Sequence, residues 1–146
     1  MRRYNDALWC TKKHLLLSDV HSGETLQKLI TECKNNSCNV SNATRLEAEG
    51  IVKNLVAAEE HIINEIVPQL KDNEMKTNLM NISKNIRETR QKITTAGLPF
   101  RSNVTVDNDM IDIMVNVQKN INNVIDRVDN YASMMSQEIS CPKCEE

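Results

Sequence analysis

The sharpest local motif in this sequence is Cys141 and Cys144, separated by Pro142 and Lys143. Two sulfurs at that spacing can converge on one tetrahedral ion, giving half of a zinc site, or act together as a redox dithiol. A closed zinc site needs two more ligands. Cys33 and Cys38 form the comparable pair, with His14 and His21 as spare nitrogen donors. The metal-ligand candidates are therefore Cys33, Cys38, Cys141 and Cys144. A redox enzyme normally sets such a motif at a helix N-terminus beside a sheet, and no sheet is legible here. The segment 140–146 is read as a flexible Cys-x-x-Cys tail, with no committed metal and no cofactor.

His61 lies beside Glu59 and Glu60 at the edge of an apolar helical face and reads as a rim contact. The sequence holds no Glu-x-x-His pair for a di-iron bundle, no glycine-rich phosphate loop, no His-Glu-x-x-His and no nucleophile elbow. The expectation is a protein that is not an enzyme. Lys76, Lys84, Arg87, Arg90, Lys92 and Arg101 make a basic face that could meet phosphate. No aromatic residue interleaves with them to stack bases, and the net charge is -2. Specific nucleic-acid binding is not expected.

The elements that must position these residues read as helices. Three glycines and three prolines in 146 residues are too few for the turns of a sandwich or barrel. A hydrophobic fraction of 40% and a charged fraction of 26% suit a folded chain with a real core. No apolar run is long enough to cross a membrane, and Leu15-Leu16-Leu17 is too short for a secretory signal. That points to the cytoplasm, or to a particle assembled there. The odd count of five cysteines weakens a disulfide framework. Glycosylation triplets start at Asn35, Asn39, Asn42, Asn81 and Asn103, but the chain holds 18 asparagines, and the triplets are read as composition. The Asn-rich, Ile-rich, aromatic-poor style is compatible with an AT-rich genome such as that of a large DNA virus or a parasite.

Residues 4–17 and 24–33 read as short helices broken at Ser22-Gly23, followed by an Asn/Ser-rich loop. Residues 44–67 read as a helix with Thr44 as N-cap and Glu47 completing a capping box. Its apolar face is wide, Gly50 is its weak spot, and Pro68 stops it. Residues 72–96 carry a narrow heptad stripe through Met75, Leu79, Ile82, Ile86, Thr89, Ile93 and Ala96, ended by Gly97 and Pro99. Residues 107–139 carry the longest one: Met110, Met114, Val117, Ile121, Val124, Val128, Tyr131 and Met135. Asp107 and Asp109 suit its N-terminal end. The three segments carry net charges of -3, +2 and -4 in order, so the basic middle helix suits lateral pairing with its acidic neighbours.

The fold expected is all-α: an elongated helical bundle of three long heptad-patterned helices plus one or two short N-terminal helices. Residues 1–43 would pack on or flank the bundle, residues 44–139 would form it, and the tail would follow. The function expected is structural, an assembly, scaffold or adaptor protein working through coiled-coil-like helix contacts. A virion or other particle component fits that description. β-branched residues at both heptad positions of 110–135, with no leucine, lean towards three or more strands. Those strands can be the chain's own helices or copies of it, so protein partners and a homo-oligomer are expected. Two other readings stand beside it. One is a secreted four-helix-bundle ligand of cytokine type, which would explain cysteines and glycosylation triplets together. The other is a small zinc-dependent interaction domain using the cysteine pairs.

Overall fold

The computed structural model describes residues 8–34, 39–98, 106–135 and 139. Expectations resting on the start of helix 4–17, on Cys38, Pro99 or Arg101, or on the tail 140–146 fall outside the described residues. The fold is all-helical, as expected, but the walls of the bundle number four. They are α1 (Trp9–Lys34), α2 (Asn42–His61), α3 (Asn73–Thr95) and α4 (Asn108–Met134). α2 continues through a π turn, Ile62–Ile66, and a 3-10 turn, Val67–Gln69.

The first wall corrects the expected pair of short helices. α1 runs unbroken through Ser22 and Gly23. Its buried row is Thr11, Leu15, Ser18, Ser22, Thr25 and Leu29, spaced alternately by four and three residues. Counting hydroxyl residues as polar hides this row. Ser22 donates to the Asp19 carbonyl and Thr25 to the His21 carbonyl, both at 2.8 Å, so neither hydroxyl is buried without a partner. No close approach demands a glycine at position 23. A Cβ on Gly23 would lie 3.5 Å from Gln118 of α4.

Residue pairs fix the directions. Thr11 meets His61 and His21 meets Glu47, so α1 and α2 are antiparallel. Glu59 meets Arg87 and Arg90 across the short turn before α3. Lys92 reaches Asn116, while Asn122 reaches Asp19 and Lys12 reaches Asp129. Each helix therefore runs antiparallel to the next, and α4 returns beside α1. This is the up-down-up-down order, without the two long crossovers of growth-hormone-type bundles. At about 1.5 Å per residue, α4 is on the order of 40 Å long, shorter than residues 107–139 would give, and α1 matches it.

The helix ends show which sequence signals acted. Ser41, not Thr44, caps α2: its Oγ accepts from the Thr44 N–H. Thr44 is buried and donates to Glu32 Oε1 at 2.8 Å, while Glu47 turns to His21, so the expected capping box does not form. Pro68 stands in the 3-10 turn and stops the helix. Asp72 caps α3 and Asp107 caps α4 through their carboxylates. After α3, Gly97 takes φ 99°, and Leu98 N–H bonds Ile93 O while Gly97 N–H bonds Thr94 O. That pair of bonds satisfies carbonyls the helix leaves open.

Candidate functional site

The residues singled out on α4 face the chain's own helices. Met114, Val117, Ile121, Val124 and Val128 are buried, as are Met110 and Met135, with Tyr131 at the border. They meet Leu79, Ile82, Ile86 and Ile93 of α3 and the buried row of α1 in one core. A row in this position is filled from within the chain, and a second copy must find another face.

The three histidines all sit on the seam between α1 and α2. His14 Nδ1 donates to Asn54 Oδ1 at 3.0 Å, and His21 Nδ1 donates to Glu47 Oε2 at 2.8 Å. His61 is 7% exposed, not a rim residue, and its Nδ1 shares a 2.7 Å hydrogen bond with the Thr11 hydroxyl. The Thr11 partner was not legible because it lies 50 residues away on the same seam. Burial lowers the His61 pKa from 6.5, Glu65 opposes that shift, and His14 adds to it. The ring is thus held neutral near pH 7. Beside it, a cleft of about 210 Å³ is lined by Cys10, His14, Glu60, His61 and Glu65 among others. Among the described residues no group of three or more His, Cys, Asp or Glu side chains is arranged to hold a metal ion.

The cysteines divide. Cys33 is free and partly exposed. Cys10 is disulfide-bonded, and as Cys33 is the other described cysteine, its partner lies outside the described residues. Of the four metal-ligand candidates, Cys38, Cys141 and Cys144 also lie outside them.

The expected charge pairing is realised between α2 and α3. Glu59, 8% exposed, accepts from Arg87 Nε at 2.8 Å and from Arg90 Nε at 3.0 Å. Two of the basic-face residues are thereby committed to structure. Further along, Lys92 donates to Asn116 across the α3–α4 groove. Two open hollows lie along that groove, about 570 and 720 Å³, and Lys92 and Glu88 border both.

What α1 turns to solvent was not anticipated as one feature. Trp9, Leu16, Leu17 and Val20 are exposed apolar residues on its outer side. Trp9, Leu16 and Leu17 fall in the expected helix 4–17, and Val20 lies just past its end. No helix among the described residues is long and apolar enough to cross a membrane. Comparison with known proteins gave no matching family, no similar curated protein and no similar solved structure.

Proposed function

We propose that the chain is a non-enzymatic assembly or adaptor protein acting through helix–helix contact, suited to a scaffold or particle component. The observation that carries this reading is the outer face of α1, where Trp9, Leu16, Leu17 and Val20 stay exposed although the interior is already filled. Exposed large apolar side chains grouped on one helix face mark contact surfaces more often than scattered ones do. The histidines support it too: each is engaged in a bond that joins α1 to α2, which is a structural role.

Light scattering in dilute buffer, with affinity purification from the native source, tests the reading. A mass above one chain, or a stoichiometric protein partner identified by name and re-bound in purified form, is the expected result. A strict monomer with neither would overturn it.

The disulfide at Cys10 favours a second reading, a secreted bundle ligand folded in an oxidising compartment. Its antiparallel helix order differs from that of the two-crossover cytokine bundles. Thiol titration of the unfolded, unreduced chain separates the two. Five free thiols favour a reducing compartment and speak against the ligand. Two bridges and one thiol favour the ligand.

A further inference from the structure

The outer face of α1 has an order that names its occupant, given the helix–helix reading above. Lys13, Leu17, Val20 and Glu24 are exposed and recur at spacings of four, three and four, with Leu16 beside them and Trp9 one turn before. The neighbouring polar residues are already bound within the bundle: Lys12 to Asp129, Asp19 to Asn122 and His21 to Glu47. The stripe is left, and it reads cation, apolar, apolar, anion.

We propose that α1 pairs with α1 of a second copy, antiparallel, about a two-fold axis passing between Ser18 and Asp19. An antiparallel pair sets each first heptad position against the other helix's fourth. With Leu17 and Glu24 at the first position and Val20 and Lys13 at the fourth, Leu17 meets Val20 of the second copy. Lys13 meets Glu24 of the second copy, and symmetry makes each contact twice. A parallel pair would set Lys13 on Lys13 and Glu24 on Glu24, so charge selects the antiparallel form. Glu24 is free to change partners, since its present contact with Lys28 is long, 3.8 Å, and both side chains are well exposed.

Sedimentation velocity on the full chain, from micromolar to near-millimolar concentration, tests this. The mass should rise from one chain of 16.7 kDa towards two. Val20→Lys should remain monomeric. Lys13→Glu and Glu24→Lys should each weaken the dimer about tenfold or more, and the double exchange Lys13→Glu with Glu24→Lys should restore it to within about threefold. All three positions are exposed, and far-ultraviolet circular dichroism checks that each variant keeps its helix content. A double exchange as weak as the single ones overturns the antiparallel pairing. A wild-type chain that stays monomeric overturns the dimer and leaves the stripe to a different protein or to a lipid surface. An oligomer indifferent to all four variants overturns the proposal while the assembly reading stands. A monomer that also lacks any partner in the purification removes both.

Discussion

Replacing Gly50 by alanine should destabilise the protein, against what helix propensity alone predicts. In the interior of an exposed helix the change would contribute about 1 kcal/mol of stability. Here a Cβ would lie 2.8 Å from His21 Cδ2, 2.9 Å from Cε1 and 2.9 Å from Cγ. Real Cβ atoms do not approach a ring that closely, so α1 and α2 must separate or the imidazole must turn. The ring is not free to turn without loss, because its Nδ1 donates to Glu47. Overpacking of this kind costs about 1–3 kcal/mol. The net expectation is a loss of about 1 kcal/mol, or about 3 °C in Tm for a chain of this size.

The companion variant His21→Ala removes the obstructing ring together with its part-buried hydrogen bond to Glu47, worth about 1 kcal/mol. In that background the three nearest atoms are gone, and Gly50→Ala should stabilise by up to about 1 kcal/mol. The cycle therefore predicts a coupling of about 2 kcal/mol between positions 21 and 50, measurable by urea unfolding of the four proteins. Gly50→Ala that stabilises the otherwise unaltered protein, or a coupling near zero, would refute the close approach of α1 to α2.

Two further predictions concern charge. Glu59→Gln keeps the shape of the side chain but leaves Arg87 and Arg90 without a carboxylate. The acid's side chain is 11% exposed, while the arginine side chains are 49% and 28% exposed and stay partly hydrated. The expected loss is about 2 kcal/mol, below the range for a fully buried pair, read as a lower urea midpoint at unchanged slope, and an unchanged midpoint contradicts it. For His61 the folded pKa is lowered from 6.5, chiefly by burial, so below 6.5 the unfolded chain binds more protons than the folded one. Its stability contribution is complete above 6.5 and is lost as the pH falls towards the lowered folded value. Taking the urea midpoint from about pH 7.5 to about pH 5.5 should show a fall that is shallower in His61→Gln, and equal slopes in the two proteins would count against a buried neutral ring.

The parts of the fold legible in the sequence were those whose buried rows are aliphatic. α3 and α4 announce themselves through Ile, Val, Leu and Met at regular spacing, and two of their ends through Gly97 and Asp107, whereas the Asp72 cap of α3 was not anticipated. α1 did not, because four of the six residues in its buried row are Thr11, Ser18, Ser22 and Thr25. The period was present, but in residues whose burial depends on where their hydroxyls find acceptors, which only the folded chain decides. The N-cap shifted for the same reason. Both Ser41 and Thr44 can cap, and Thr44 is drawn instead to Glu32, a residue of another helix. Among the candidate site residues, the α4 row could be read as one face but not assigned to its neighbours. The outer stripe of α1 was not anticipated as one row: Lys13 and Leu17 lie in the expected helix 4–17, Val20 just past its end, and Glu24 beyond the expected break.

The α1–α2 seam also accounts for how four similar helices keep one register. Along α1 the residues Thr11, His14, Ser18 and His21 come at intervals of three, four and three, and each bonds across to α2. The partners are His61, Asn54, the Ile51 carbonyl and Glu47, in descending order. Sliding α1 by one turn, about 5.4 Å, would break all of them at once. Thr11 would then lose its cross-helix partner while buried, at about 1–3 kcal/mol. On the other side of the bundle, Ile82, Ile86 and Ile93 face Val117, Ile121 and Val124 within the same core, and shapes so alike discriminate poorly between registers. There Lys92 bonds Asn116, while Glu59 between Arg87 and Arg90 aligns α3 on α2. The polar seam thus does for α1 and α2 what a single buried polar residue does in a coiled coil: it fixes alignment at some cost in cohesion. It also keeps the outer stripe of α1 in one fixed orientation, which any pairing between copies through that stripe requires.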